Sequence, residues 1–142
     1  MESNKHVITV RVTVNAPAEE VWTRWTTPED ILKWNFASDD WQTTTAVNDL
    51  TVGGRFSSRM EAKDGSIGFD FWGTYDEVDY PERIAYTLGD GRKVEVDFIG
   101  LGDVTDVIES FEAEDENTLE LQQNGWQCIL DNFKKYVENN KY

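Results

Sequence analysis

The sequence predicts an α+β protein with a helix-grip fold, in which a curved antiparallel sheet (β-α-α-β6-α) is wrapped around a long C-terminal helix. Three observations predict this fold class. One alternating strand opens the chain and two short helical segments follow it. Residues 41–113 then alternate between apolar and polar side chains, as strands with one buried face do. The apolar side chains of residues 118–139 have helical spacing, so the last element is a helix that covers the sheet.

The first elements are predicted from a change of periodicity near Pro17. Residues 8–14 place valine or isoleucine at every even position and polar residues between them, which is typical of a half-buried strand. Pro17 favours a helix start, and Thr27 followed by Pro28 and Asp30 favours a second start with Thr27 as the cap. The apolar sides of these two short helices are expected to be formed by Val21, Trp22, Trp25, Ile31, Leu32 and Trp34.

The central strands are delimited by two hairpin signals, residues 64–65 and residues 90–91, which are both Asp-Gly. Alternation around these turns predicts a meander with one strongly apolar face and one charged face. The residues whose position in the alternation places them on the apolar face are Phe56, Ser58, Met60, Ala62, Ile67, Phe69, Phe71, Tyr75, Ile84, Tyr86, Leu88, Val94, Val96, Phe98, Thr105, Val107, Glu109 and Phe111. The covering helix is expected to present Trp126, Ile129, Leu130, Phe133 and Val137.

Composition excludes several classes of partner and chemistry. The chain has 13 basic and 28 acidic residues, a net charge of −15, so neither nucleic acid nor an anionic membrane is expected as a partner. It has one cysteine, Cys128, and one histidine, His6, which leaves little for a metal site, and no cofactor is expected. We find no linker, repeat, signal peptide or apolar run of membrane-spanning length. We therefore expect a single cytoplasmic domain over residues 1–142, as a monomer or weak homodimer.

The inner face of the sheet and the covering helix are expected to leave a cavity between them. Helical Gly125 points to such a space, because glycine within a helix is unfavourable unless something requires the missing side chain. The alternatives are solid packing of the aromatic residues and close approach of two backbones. On the cavity interpretation, the lining residues are Phe56, Met60, Phe69, Phe71, Tyr86, Phe98, Glu109, Gly125, Trp126, Ile129 and Phe133.

Glu109 is the one acidic residue whose position in the alternation directs it inward, between Val107 and Phe111. A buried carboxylate is costly unless it is paired, and burial raises its pKa. Glu109 and Tyr86 are therefore predicted to be the polar groups that bind a ligand hydroxyl or amine. The alternatives are a bulge that turns Glu109 outward, or an internal hydrogen bond to Tyr75, Tyr86 or Ser58.

Several sequence segments together carry a family resemblance that covers nearly the whole chain. They are residues 16–22 (APAEEVW), 27–29 (TPE) with Trp34, 49–56 (DLTVGGRF), 73–75 (GTY) with Pro81, Ile84 and Tyr86, 125–126 (GW) and 130–136 (LDNFKKY). In this order they resemble the relatives of the activator of heat-shock protein 90 ATPase, of Aha type, within the START-like or SRPBCC superfamily. Because residues 16–17 lie so near the start, the chain is expected to be a stand-alone bacterial-type member.

The resemblance implies three functions, in order of preference. The superfamily includes polyketide cyclases and pollen-allergen-like lipid binders, which implies non-enzymatic binding of a small hydrophobic molecule. The family name implies, as an alternative, a chaperone-associated or stress-response interaction domain. A cyclase-like enzyme is the third, but no acid–base constellation is found beyond Glu109 and the tyrosines, so no catalytic residue is predicted.

Overall fold

A seven-stranded antiparallel sheet and three helices make up the computed structural model, which describes residues 6–140. The elements follow the predicted order, and the α+β helix-grip prediction is confirmed. They are β1 (Val7–Val14), α1 (Ala18–Thr26), α2 (Pro28–Trp34), β2 (Trp41–Asn48), β3 (Arg55–Ala62), β4 (Gly68–Asp79), β5 (Arg83–Leu88), β6 (Lys93–Gly100), β7 (Thr105–Glu112) and α3 (Leu119–Asn139).

The strands lie in the order β1-β7-β6-β5-β4-β3-β2, and the sheet curls into a half-barrel. Strands β2 to β7 form a simple meander, whereas β1 pairs with β7 at the far edge. Because β1 and β2 occupy opposite edges, the chain between them has to cross the sheet, and α1 and α2 form that crossing. The crossing places both short helices beside the C-terminal helix.

Both predicted hairpin turns are present. Gly65 and Gly91 have φ angles of +80° and +94°, in the left-handed region that glycine adopts without strain. The preceding aspartates complete the turns, since Asp64 accepts a hydrogen bond from the Ser66 N–H at 2.8 Å and Asp90 accepts one from the Arg92 N–H at 3.1 Å.

The helix starts are confirmed in position, but one differs in chemistry. The Thr118 hydroxyl caps α3 by accepting a hydrogen bond from the Leu121 N–H at 3.1 Å. Thr27 also occupies the N-cap position of α2. Its hydroxyl, however, donates to the Thr23 carbonyl at 2.7 Å, and the same carbonyl accepts the Thr27 N–H at 3.0 Å, because α1 ends directly before α2. Thr27 therefore closes the end of α1 rather than the start of α2.

The packed core lies between β5–β7 and one face of α3. Leu130, Phe133 and Val137 of α3 are fully buried there. Aromatic rings of the short helices complete this core: Trp25 lies 4.9 Å from Phe133 and 5.7 Å from Phe98, between ring centroids. None of the helices formed by residues 6–140 has the length and apolar character needed to cross a bilayer.

Helix α3 is held at the β1 edge of the sheet. Gln127 donates to the Arg11 carbonyl at 3.0 Å and Lys134 donates to the Thr13 carbonyl at 2.7 Å, and both carbonyls belong to β1. On its other side, Asn132 donates to the Trp34 carbonyl at the end of α2 at 2.8 Å. The helix therefore bridges β1 and α2, and the inner faces of β3–β5 are covered less closely.

Candidate functional site

A cavity of about 340 Å³ lies between the inner face of β3–β5 and the helices α2 and α3. Its wall combines aromatic and aliphatic side chains with a few polar ones. The lining residues are Trp25, Ile31, Trp34, Asn35, Val47, Asn48, Phe56, Ser58, Met60, Phe69, Phe71, Tyr75, Ile84, Tyr86, Arg92, Glu109, Glu114, Trp126 and Ile129.

Part of the cavity lining is exposed near the hairpin between β3 and β4. Phe69 lines the cavity there and is 46% exposed, and its ring meets Trp41 edge to face with 6.0 Å between centroids. Ile67, two residues before Phe69 and nearer the turn, is also exposed. The apolar face predicted for this strand is therefore exposed beside the hairpin, although Phe69 lines the cavity as predicted.

An aromatic cluster forms the floor of the cavity. Phe56 packs against Tyr86 edge to face at 4.8 Å, against Tyr75 at 5.4 Å and against Phe71 at 5.9 Å, between ring centroids. On the helix side, Trp126 stacks on Phe111 and meets Phe71 edge to face at 6.1 Å. This arrangement gives the cavity a surface of mutually packed aromatic rings.

Glu109 lies in the wall with its carboxyl buried, 5% exposed overall. It is in regular register opposite Val10 of β1 and Val96 of β6, so it points inward without a bulge. Within residues 6–140 its side chain makes no hydrogen bond or ion pair, and in particular none to the three partners considered from the sequence. Burial raises its pKa to about 8, so the carboxyl is mostly protonated at neutral pH.

The tyrosines beside Glu109 differ in their partners. Tyr75 donates a hydrogen bond to the Asn48 side-chain carbonyl at 2.6 Å, and the Asn48 amide donates in turn to the Thr26 carbonyl at 2.7 Å. Tyr86 is 6% exposed, and burial, followed by the nearby Glu109 charge, raises the pKa of its hydroxyl well above the usual value. The Tyr86 hydroxyl has no hydrogen-bond partner among the described residues. Two unpaired polar groups, one carboxyl and one phenol, thus face the same space.

Two charged side chains complete the lining at the β5–β6 turn and after β7. The Arg92 guanidinium donates to the Asp90 carboxylate at 2.8 Å and to the Glu112 carbonyl at 3.3 Å. The Glu114 carboxylate accepts hydrogen bonds from the backbone and side-chain amides of Asn117, which lowers its pKa. Both groups are therefore already held by neighbours, unlike Glu109.

Eight of the eleven residues predicted to line the cavity do so: Phe56, Met60, Phe69, Phe71, Tyr86, Glu109, Trp126 and Ile129. Phe98 and Phe133 belong instead to the packed core, with 2% and 0% of their surface exposed, because the short helices place Trp25 against both rings. Gly125 does not line the cavity, and a Cβ atom added to it would meet nothing within 4 Å. Gly125 therefore makes no room for a closely packed strand, and the open space beside it is not part of this cavity.

Other lining residues were not predicted, although some carried a signal. Ser58, Tyr75 and Ile84 share strand parity with predicted neighbours and were recognisable as inward-facing. Arg92 and Glu114 lie outside regular strands, where alternation says nothing about direction. Asn35 reaches the cavity from the end of α2, and Asn48 reaches it from β2, where it is paired with Phe56; local patterns reveal neither placement.

The chemistry available is that of a binding pocket with one ionisable group. A protonated Glu109 can donate a hydrogen bond, and an ionised one can pair with a cation. Within residues 6–140, no group of three or more histidine, cysteine, aspartate or glutamate side chains is arranged to hold a metal ion. His6 and Cys128 are both exposed, and neither lines the cavity.

The sequence profile of the family described as "Activator of Hsp90 ATPase homolog 1-like protein" matches residues 15–138. The chain belongs to this family. Among proteins with curated descriptions, none matches the chain.

Solved structures of the Activator of Hsp90 ATPase homolog 1-like family and beyond share the whole architecture. The AHSA1-like protein from Aeromonas hydrophila is 48% identical with a TM-score of 0.89, and the alignment covers 94% of this chain and 93% of that one. A protein from Cytophaga hutchinsonii is 53% identical with a TM-score of 0.81, covering 97% and 94%. A protein from Chromobacterium violaceum is 23% identical with a TM-score of 0.85, covering 95% and 99%, and shows likeness of fold alone. The chain thus has the START-like fold of this family, a fold that is often used for ligand binding.

Proposed function

We propose that this protein reversibly binds a small, largely apolar molecule in the cavity between its sheet and helices α2 and α3. The observation that supports this most directly is the cavity itself, about 340 Å³ in volume and bordered mainly by aromatic side chains. A volume of this order is at the lower end of the range of small-molecule sites. A compact ligand such as a bicyclic aromatic compound or a medium-chain alcohol matches it in size.

The free energy of binding would come mainly from burial of apolar surface, at about 25 cal/mol per Å². The floor formed by Phe56 and its aromatic neighbours is already ordered, so little conformational entropy is lost when a ligand enters. The exposed part of the lining beside Phe69 would give a ligand a route in. The unpaired polar groups, Glu109 and Tyr86, would select the ligand by hydrogen bonding.

The proposal is tested by thermal unfolding with a panel of neutral bicyclic aromatics and medium-chain alcohols. A compound present at about 100 times its Kd stabilises the folded state by about 2.7 kcal/mol. For a chain of this length the Tm is then expected to rise by roughly 5–10 °C. An unchanged Tm across the panel would contradict the proposal.

A pair of variants on one strand ties the effect to the cavity. Ser58 lines the cavity and is 4% exposed, whereas Ser57 lies on the opposite face of β3. Ser58→Leu fills space in the cavity and is expected to abolish the ligand-dependent rise in Tm, while Ser57→Leu is expected to keep it. If Ser58→Leu fails to fold, Ile129→Phe narrows the cavity from the helix side instead.

Contact with a chaperone remains the alternative suggested by the family description. That function would use the outer surface, so it predicts that Ser58→Leu has no effect on chaperone ATPase stimulation. Ligand binding that survives Ser58→Leu unchanged would also count against the cavity.

A further inference from the structure

The cavity wall carries a carboxyl group, that of Glu109, which has no hydrogen-bond or ion-pair partner among residues 6–140. Only 5% of the Glu109 surface is exposed, and the residue lines the cavity. Buried polar groups in proteins almost always have hydrogen-bond partners, so an exception calls for an explanation, such as a functional role or a partner supplied from outside the chain. The unpaired Tyr86 hydroxyl faces the same space.

The surroundings of Glu109 suit a cation better than an anion. The rings of Phe56, Phe71 and Trp126 border the cavity, and the faces of aromatic rings attract ammonium groups. The positive charge of Arg92 is already held by Asp90. The second charged group of the lining, Glu114, is also a carboxylate.

The charge of the whole chain acts in the same direction. A net charge of −15 attracts cationic ligands to the protein and repels carboxylates such as fatty acids. The electrostatic field of the protein neither attracts nor repels a neutral alcohol or ketone. Of the three ligand classes, cation, anion and neutral molecule, only the cation gains from both the cavity and the field.

We propose, as an extension that rests on the proposed function, that the ligand of this cavity is a hydrophobic amine. Its compact apolar body packs against the aromatic floor, and its ammonium group pairs with the Glu109 carboxylate. The Tyr86 hydroxyl oxygen accepts a further N–H. Both unpaired groups then have partners, and the buried pair is formed within the aromatic wall.

The proposal requires a proton to leave when the ligand enters. In the empty cavity Glu109 has a pKa of about 8 and holds its proton at neutral pH, whereas a free amine is already charged. Formation of the ammonium–carboxylate pair therefore releases the carboxyl proton to solvent. Below pH 8 the affinity is expected to rise about tenfold for each pH unit, and it levels off above pH 8.

The other groups around Glu109 do not titrate across this range. Tyr75 and Tyr86 have pKa values raised above the usual value, and Glu114 has a lowered one. The guanidinium of Arg92 stays charged. The strands on either side of Glu109 place Val10 and Val96 opposite it, and α3 contributes Trp126 and Ile129 to the wall.

The test uses three probes with the same bicyclic body: naphthalen-1-ylmethylamine, 1-naphthalenemethanol and 1-naphthoate. Affinities are measured by titration calorimetry at pH 6, 7 and 8 for the full chain and for Glu109→Gln, which removes the charge and keeps the shape. Measurements in two buffers of different ionisation enthalpy count the protons released.

The expected result is an amine that binds about tenfold or more tightly than the alcohol at pH 8, with naphthoate weakest. This preference is expected to disappear in Glu109→Gln, in which the ratio of the amine affinity to the alcohol affinity falls to about one. Close to one proton is expected to be released per amine bound at pH 7 in the unmodified protein, and none in the variant.

The failure of this inference can be told apart from the failure of the proposed function. If the alcohol binds as tightly as the amine, or if Glu109→Gln binds the amine equally well, the amine assignment is overturned and the apolar cavity function stands. If none of the three probes binds, the proposed function itself is overturned.

Discussion

Trp126 of α3 stacks on Phe111 of β7, with 3.9 Å between ring centroids and 11° between ring planes. Phe111 is fully buried in the core, whereas Trp126 borders the cavity on its other side. This one pair therefore joins the packed part of the protein to the open part.

The first prediction concerns this stacked pair. Trp126→Ala removes the stacking and leaves Phe111 partly uncovered, so the free energy of unfolding is expected to fall by roughly 2–4 kcal/mol. Trp126→Phe keeps an aromatic face against Phe111 and is expected to cost less than about 1.5 kcal/mol. Urea denaturation of both variants measures the difference, and equal losses would show that stacking contributes little.

The second prediction concerns the pH dependence of stability from Glu109. The folded protein holds this proton up to about pH 8, whereas the unfolded chain releases it near pH 4.5. The stability contributed by the neutral carboxyl is thus fully present below pH 4.5 and is lost as the pH rises to 8. Relative to Glu109→Gln, the unmodified protein is expected to lose roughly 3–5 kcal/mol across that range.

Glu114→Gln is the matched control, because the pKa of Glu114 is lowered by its hydrogen bonds to Asn117. Its contribution is present above the unfolded pKa and is lost as the pH falls, which is the opposite sign. Chemical denaturation at several pH values from about pH 3 to pH 8 gives both curves, because the Glu109 contribution changes between pH 4.5 and 8 and the Glu114 contribution changes only below pH 4.5. A parallel response of the two variants would contradict a neutral, buried Glu109.

The sequence predicts the elements of this fold well because alternation and turn chemistry are local. The Asp-Gly pairs at 64–65 and 90–91 require a left-handed glycine, and both turns form. The inward register of Glu109 follows from strand parity alone, and the register is regular. The absence of a hydrogen-bond partner for Glu109 among residues 6–140 does not follow from strand parity. It depends on the positions of the Tyr86 and Ser58 hydroxyl groups in the folded protein.

The division between core and cavity was beyond the sequence. Phe71 and Phe133 look equivalent in the pattern, since each faces the sheet–helix interface. Phe133 is enclosed by Trp25 and Trp34, at 4.9 and 4.8 Å between centroids, because the crossing helices come to rest over that end of α3. The position of a crossing connection is a tertiary property, so it decides which aromatic residues pack and which line a void.

That division leads to a third prediction. Phe133→Ala removes a fully buried ring from a filled region and is expected to lower the free energy of unfolding by about 3–5 kcal/mol. Phe71 borders the cavity, so its ring has protein contacts on fewer sides, and Phe71→Ala is expected to cost roughly 1–2.5 kcal/mol. Thermal and urea unfolding of both variants measures this. Similar losses would show that the cavity is closed in solution.

A fourth prediction concerns the outer face of the sheet. The Arg83 guanidinium binds three carboxylates, those of Glu77 at 3.0 Å, Asp97 at 2.9 Å and Glu95, and these bonds raise its pKa. Arg83→Gln leaves the three negative charges together. Because the carboxylates are 40–52% exposed, the expected loss of stability is only about 1–2 kcal/mol.

High salt screens both the attraction to Arg83 and the repulsion that remains, so the loss is expected to shrink in 1 M NaCl. Arg11→Gln serves as the control, since Arg11 is 63% exposed and pairs with Asp106 at 3.2 Å. It is expected to cost less than about 0.5 kcal/mol. If the two substitutions cost the same at low salt, the three carboxylates around Arg83 do not act together.

The fifth prediction concerns Gly125, whose missing side chain faces open space rather than a strand or the cavity. Alanine is the better helix former by about 1 kcal/mol, and a Cβ atom here would meet no neighbour within 4 Å. Gly125→Ala is therefore expected to raise the free energy of unfolding by roughly 0.5–1 kcal/mol. Ligand binding is expected to be unchanged, because Gly125 is not part of the cavity wall. Thermal unfolding with and without an apolar ligand separates the two effects. If the variant gained stability but lost ligand binding, the ligand would have to occupy the space beside Gly125, and this residue would belong to the binding site.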